Sequence, residues 1–152
     1  MNDVNSDILL IDSPDGGEIV LENGLIKYDL QFSTAIYLSL FGGNKDDPGK
    51  TARNRSWWGN LFAEKESEQI RSRFQYIISG LPMTVKNMRD AEEAARMDLD
   101  WLKKDKLADT INIQGKSVTH KTYNLFVEIL SKKEKLYESN FIVDWNGGNN
   151  AV

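Results

Sequence analysis

The sequence predicts an α+β fold, in which a helical layer around one long central helix packs on a C-terminal antiparallel β-meander. Three patterns support this fold. Apolar residues recur at helical spacing in the middle of the chain, alternate with polar residues after Asp105, and form short runs between turn residues before Ser33. The 152 residues are 40% hydrophobic and 28% charged, and a chain of this size can bury roughly 70% of its unfolded surface. We therefore expect one domain, residues 1–152.

Residues 1–32 predict a small, acidic N-terminal β-segment. The pair Asn23-Gly24 separates two apolar runs and favours a tight hairpin, because both residues adopt positive φ at low cost. Seven acids stand against one base, Lys27. Such a charge suits orientation against another protein and lacks the basic face that binds phosphates, so we expect no nucleic acid partner. The expected strands lie in Asp7–Asp12, Glu18–Leu21 and Leu25–Tyr28.

Residues 33–104 predict three helices and one long loop, residues 42–60. Thr84 is expected to cap the long central helix, and Gly80 to follow the second helix in the C′ position. The predicted helices run from Ser33 to Phe41, from Glu66 to Ser79 and from Thr84 to Lys104. Apolar stripes are expected at Ile70, Phe74, Ile77 and Ile78 in the second helix, and at Val85, Met88, Ala91, Ala95, Leu99 and Leu102 in the third.

The long loop carries two adjacent tryptophans, Trp57 and Trp58. In a polar, basic loop such large apolar side chains either fold back onto the core or join an interface with a partner. Both alternatives are open at the level of sequence. Trp and Arg are the usual hot-spot residues of interfaces.

Residues 105–145 predict the β-meander, and residues 146–152 a flexible glycine-rich tail. The last strand can be an ordinary edge strand protected by neighbouring lysines, or an edge that accepts a strand from another chain. The expected strands are Thr110–Gln114, Tyr123–Leu130 and Leu136–Trp145, separated by a turn at Gly115-Lys116 and a loop at Ser131–Lys135.

Motifs for catalysis or cofactor binding are not found. The single histidine, His120, lies in a polar turn, the paired acids suit solvated surfaces, and no glycine pattern fits a nucleotide loop. The chain has no cysteine and no signal-peptide or membrane-spanning pattern. We expect a non-enzymatic protein without cofactor, metal, small-molecule substrate or membrane contact.

Several motifs occur in an order that resembles the small baseplate protein of Mu-like contractile-tail phages. These motifs are Thr34–Phe41, a polar loop, Arg55–Asn60 with its Trp-Trp-Gly, Ile70–Arg73, and the Ala-rich helix that reaches Trp101-Leu102. The resemblance extends from about Ile8 to Val143. The chain departs from the family pattern at Gly42–Lys45, and lacks at Lys106–Asp109 the Glu-Pro-Arg signature of the wider sheath-initiator group.

The resemblance implies a structural wedge protein of the baseplate that helps to initiate the tail sheath. Its helices would join other wedge proteins, and its C-terminal strands would pair with extensions of the sheath subunits, with several copies in each baseplate. The protein would stay in the host cytoplasm during assembly and then become part of the virion. The expected interface residues are Arg55, Trp57, Trp58, Asn60, Arg73, Phe126, Glu128, Tyr137, Phe141 and Val143.

Two other functions are open. A tail-associated peptidoglycan hydrolase would use carboxylates such as Glu66 or Glu93. A non-structural assembly factor would be absent from finished particles.

Overall fold

The computed structural model describes residues 7–13, 16–29, 32–43 and 58–145. Arg55 and Trp57 lie outside these residues, as do most of the expected 42–60 loop and the tail 146–152. The chain divides into two compact units, residues 1–37 and 38–152. The α+β class is confirmed, with a C-terminal three-stranded antiparallel sheet, helices and small N-terminal strands.

In the described part of the first unit, six short strands form three antiparallel pairs. The pairs are β1 (Asp7–Ile8) with β6 (Tyr28–Asp29), β2 (Leu10–Ser13) with β3 (Gly16–Ile19), and β4 (Leu21–Glu22) with β5 (Leu25–Ile26). Where the pairs meet, three backbone hydrogen bonds form a ring, from Leu9 N to Lys27 O, from Lys27 N to Val20 O and from Val20 N to Leu9 O (2.9, 2.8 and 3.1 Å). The three pairs therefore radiate from one hydrogen-bonded junction.

The hairpin expected at Asn23-Gly24 is confirmed. Both turn residues have positive φ, 55° at Asn23 and 77° at Gly24, which is the backbone of the two-residue turns that join antiparallel strands. The strands beside the turn expose large apolar side chains, with Leu21 64% and Leu25 73% exposed.

Helix α1 (Ser33–Phe41) has the predicted bounds and ends before two glycines, Gly42 and Gly43. Gly43 has a φ of 83°, in the left-handed region that favours glycine. At Gly42 a Cβ would lie 2.4 Å from the Leu38 carbonyl oxygen. Ser72 holds this helix end, because its Oγ accepts from Gly42 N (2.9 Å) and donates to Leu38 O (3.1 Å).

Helix α2 (Arg73–Gly80) begins seven residues later than the sequence predicted. Residues Trp58–Phe62 and Glu66–Glu68 instead form short 3-10 helices. The side chain of Asn60 donates to Ile70 O and accepts from Ile70 N, both at 2.8 Å. Because this amide engages both backbone groups of Ile70, the residue lies outside α2 and is not part of its apolar stripe. Gly80 is the last helical residue rather than the C′ residue.

Helices α3 (Val85–Leu99) and α4 (Trp101–Lys104) form the long central element, interrupted at Asp100. The expected cap is confirmed, since Thr84 Oγ1 accepts from Asn87 N at 3.1 Å. The C-terminal part of the expected apolar stripe is fully buried, at Ala91, Ala95, Leu99 and Leu102. Val85 was assigned to the stripe wrongly; it is the first helical residue and is 64% exposed.

The C-terminal sheet has the order β7-β8-β9, with both pairs antiparallel. Its strands are β7 (Thr110–Ser117), β8 (Thr122–Ser131) and β9 (Glu134–Asp144). The expected five-residue loop between β8 and β9 is instead a two-residue turn, Lys132-Lys133, with φ of 49° and 69°. The register between β8 and β9 shifts between Ile129 and Leu130, which marks a bulge.

The turn expected at Gly115-Lys116 is wrong, because both residues lie inside β7 and pair with β8. A Cβ on Gly115 would lie 1.6 Å from the hydroxyl oxygen of Tyr123. The glycine therefore leaves room for the Tyr123 side chain, which is fully buried. The chain turns at 118–121 instead, and exposed His120 lies there.

Helix α3 packs on one face of the sheet. The residues of β8 that point to this face are all fully buried, namely Tyr123, Leu125, Val127 and Ile129. Tyr123 donates from its hydroxyl to Met88 O in α3 (3.2 Å). Its ring also meets that of Trp145 edge to face, with centroids 5.2 Å apart. The sheet and α3 thus share one apolar core.

Candidate protein interface

The five interface residues expected on the C-terminal strands lie on both faces of the sheet. The register pairs Tyr137 with Ile129, Phe141 with Leu125 and Val143 with Tyr123, so these three share the face that packs on α3. Phe126 and Glu128 occupy the alternate positions of β8 and belong to the opposite face. A flat contact with one sheet face cannot include all five, whereas a contact along the β9 edge can adjoin both faces.

Three of these residues lie on β9 and are only half-buried: Tyr137, Phe141 and Val143. Phe141 contacts the ring of Phe41, the last residue of α1, with centroids 5.6 Å apart and planes tilted by 57°. The face of β9 toward the helices therefore carries partly covered apolar side chains.

Side chains of α3 close the β7 edge of the sheet at two residues in the middle of the strand, Ile113 and Gly115. Val118 N donates to Thr122 O, and since hydrogen-bonded pairs alternate in an antiparallel ladder, the backbone groups of Ile113 and Gly115 point away from β8. Arg96 donates to Ile113 O at 3.0 Å, and Glu92 accepts from Gly115 N at 2.9 Å. An added strand would have to displace both side chains.

The β9 edge has no such bonds within the described part of the chain. Trp145 N donates to Lys121 O at 2.6 Å, so by the same alternation the odd-numbered residues from Tyr137 to Val143 bond to β8. The backbone groups of the four even-numbered residues between Tyr137 and Trp145 point outward, and no described residue bonds to them. These residues are Glu138, Asn140, Ile142 and Asp144. They form an open ladder of main-chain donors and acceptors.

Charge along the open edge is negative. Glu138 and Asp144 are exposed, and no basic residue occurs between Leu136 and Trp145. Glu138 lies directly opposite Glu128 in the register, an unfavourable like-charge pair. Lys135 relieves it, with its Nζ bonded to Glu138 and 3.9 Å from Glu128. These charges raise the pKa of Lys135, the hydrogen bond to Glu138 being the main cause.

Two of the interface residues expected in the helical region hold the fold together. Asn60 makes the two bonds to Ile70 described above. Arg73 lies 3.3 Å from Asp98 Oδ1, and its side chain is 42% exposed. For Trp58 the structure describes the backbone, which begins the first 3-10 helix. The alternatives of buried or interfacial tryptophan therefore stay open.

Asp98 is a fully buried carboxylate at the joint of α2 and α3. Its Oδ2 accepts from Phe74 N at 2.9 Å, so α3 supplies the N-terminal cap of α2. Burial raises its pKa from 3.8 to about 6, although the bond from Phe74 and the charge of Arg73 act in the opposite direction. Sequence reasoning missed this residue, because a cap from a distant helix has no local signature.

Two exposed apolar residues were also missed. Leu61 is 85% exposed and Phe62 77% exposed, and both lie in the 3-10 helix Trp58–Phe62. The Asn60 side chain anchors this helix to Ile70. An available signal was their position near the tryptophan pair, separated from Trp58 only by Gly59 and Asn60, in a segment otherwise rich in polar residues.

The carboxylates considered for hydrolysis form exposed ion pairs. Glu66 lies 3.3 Å from Arg71, and Glu93 lies 3.4 Å from Arg96. Among the described residues there is no cluster of three or more potential metal ligands. No helix in the same residues is long and apolar enough to cross a membrane.

The sequence was compared with family models, with curated proteins and with solved structures, and it matches none of them.

Proposed function

We propose that the chain is a structural component of a contractile phage-tail baseplate, which assembles with wedge proteins and helps to initiate the tail sheath. The observation that carries this proposal is the difference between the sheet edges. The edge of β7 is bonded by Arg96 and Glu92, whereas the edge of β9 presents a ladder without partners among the described residues. The order of motifs between Ile8 and Val143 resembles the baseplate family and supports the same role.

Strand addition at β9 suits a part that transmits force. Main-chain hydrogen bonds supply the affinity, and pockets beside alternate side chains supply specificity. Tension along the tail would be shared among the bonds of four residues, Glu138, Asn140, Ile142 and Asp144. Since the backbone of β9 already has extended geometry, only the incoming segment has to become ordered.

A second contact, with wedge proteins, involves the helical region. Leu61 and Phe62 are large apolar side chains exposed on a short, anchored helix, and in the sequence two residues separate them from Trp57-Trp58. Aromatic residues at a polar surface are typical of binding hot spots. We propose that this 3-10 helix, together with the preceding tryptophans, forms the wedge contact.

The experiment that tests the β9 edge is Asn140→Pro in a phage that carries this gene. Proline removes an outward N–H and is tolerated where the N–H faces solvent, so the isolated domain should stay folded while sheath-bearing particles are lost. The matched control is Asn140→Ser, which keeps the N–H. Normal sheathed particles with the folded proline variant would contradict strand addition at this edge.

Mass spectrometry of purified particles separates the structural role from that of an assembly factor. A structural subunit is retained in finished particles, and its absence would overturn the proposal. A zymogram with the purified chain tests the hydrolase alternative, for which clearing that disappears in Glu66→Gln or Glu93→Gln is required.

A further inference from the structure

We infer, on the premise of the proposed strand addition, that the β9 edge selects a strand of another protein in which apolar residues alternate with polar residues that include two bases. Apolar side chains of this strand would lie on the side of the helices. Basic side chains would lie on the other side, opposite Glu138 and Asp144.

The side of the helices calls for apolar residues. An added strand places its side chains beside those of β9, with Cβ atoms about 5 Å apart across the pair. On this side the neighbours are Ser139 and three larger side chains, Tyr137, Phe141 and Val143, all of them half-buried. Apolar side chains of the new strand would cover the exposed remainder of these three, and a charge placed there would lose hydration without gaining a partner.

The opposite side calls for basic residues. Glu128 and Glu138 face each other across β8 and β9, and Lys135 sets one positive charge against these two negative charges. A new strand would extend this row, and a lysine or arginine next to Glu138 would complete the neutralisation. Asp144 is exposed and lies six residues further along β9, which corresponds to about 20 Å. The strand should therefore carry two bases six residues apart.

Charge also argues against a second copy of this chain as the added strand. Antiparallel pairing of β9 with itself must keep equivalent faces together, since a shift of one residue exchanges the faces. Pairing centred on Phe141 would put Glu138 opposite Asp144 twice, and like charges directly opposite are unfavourable. Pairing centred on Asn140 would put Glu138 opposite Ile142 and Asp144 opposite Leu136, so the added strand would bring no base to either acid.

The test uses the full chain and three synthetic peptides of about ten residues, a length matched to the outward ladder. The matched peptide has valine at alternate positions and lysine at two positions six apart on the other side. The first control has glutamate in place of both lysines. The second control has the same composition with the alternation broken. Fluorescence anisotropy at low and high salt measures binding.

We expect the matched peptide to bind at least tenfold more tightly than either control, with the charge-dependent part weakened by salt. Hydrogen exchange should slow at the amides of Asn140 and Ile142. The chain with Glu138→Lys and Asp144→Lys should prefer the glutamate peptide. Equal binding of the three peptides, or a β9-mediated dimer of the chain in sedimentation, would overturn the inference.

The outcomes separate this inference from the proposed function. If particles require the β9 edge but no preference for alternating basic strands is found, the strand chemistry is wrong and the baseplate role stands. If the preference is found but purified particles lack the chain, the edge binds as inferred and the baseplate role is wrong.

Discussion

Strands β7 and β9 are both edge strands of the same three-stranded sheet, but among the described residues only β7 has outward backbone groups, two of them, that bond to side chains. Two residues of α3, Glu92 and Arg96, reach Gly115 N and Ile113 O. The outward groups of β9 have no partner among the described residues. The backbone chemistry of the two strands is the same. Whether an edge strand can accept another strand therefore depends on which of its outward backbone groups are already bonded to neighbouring side chains.

The largest expected effect comes from Gly115→Val, which would disturb the packing of β7 against its neighbouring strand. The new side chain would collide with the Tyr123 hydroxyl, so we expect a loss of roughly 3 kcal/mol in the free energy of unfolding. The corresponding fall in Tm, measured by calorimetry, is about 9 °C. Gly80→Ala is the control, because a Cβ there has nothing within 4 Å. An unchanged Tm for Gly115→Val would contradict the placement of Tyr123.

Asp98→Asn tests the anchoring of α3, the helix that makes the two edges differ. In the folded state the pKa of Asp98 is about 6, whereas in the unfolded state we expect the ordinary value of 3.8. Between pH 4 and 6 the folded state thus binds more protons, so stability falls as pH rises, by roughly 3 kcal/mol in total.

The asparagine variant should lose this slope, as measured by urea unfolding at several pH values. An amide can still accept from Phe74 N, so the fold should persist. A slope equal to that of the unmodified chain would show that another group titrates.

The double variant Glu92→Ala/Arg96→Ala should make the two edges alike. Two backbone groups of β7 lose their side-chain partners, for an expected cost of about 2 kcal/mol. Hydrogen exchange at the Gly115 amide should become faster, while exchange at the amides of Phe141 and Val143 stays unchanged. Glu92→Gln is the control, since its amide oxygen can still accept from Gly115 N. Equal protection of Gly115 in the double variant would contradict the closed edge.

The smallest effect on stability is expected for the double variant Leu61→Ser/Phe62→Ser. This variant tests whether the protein has a second binding surface besides the β9 edge. Both side chains are exposed, so the free energy of unfolding should change by less than about 0.5 kcal/mol. Co-purification with wedge proteins should nevertheless be lost. Val118→Ser, at another exposed apolar residue, is the control. Unchanged co-purification would leave the β9 edge as the remaining candidate surface.

Sequence reasoning succeeded where neighbouring residues determine the conformation. The Asn23-Gly24 turn, the Thr84 cap and the end of α1 before Gly42 all depend on local φ preferences or on a bond spanning three residues. It failed at Gly115, where glycine serves a side chain of the next strand rather than a turn.

The start of α2 could not be predicted for a similar reason. The segment around Ile70 has helical apolar spacing, but the Asn60 side chain engages its backbone from ten residues away. The candidate interface was predicted as a set of residues. Their division between two sheet faces depends on the register, which is set by the pairing of whole strands.

The sequence by itself determined the α+β class, the long central helix and the three C-terminal strands, because hydrophobic periodicity and local turn preferences are written in adjacent residues. Only the tertiary structure decided which sheet edge is closed, which carboxylate is buried and which glycine must stay small. Each of these depends on groups from distant parts of the chain meeting within hydrogen-bond or van der Waals distance. The spacing of residues along the sequence does not predict which of these distant groups come into contact.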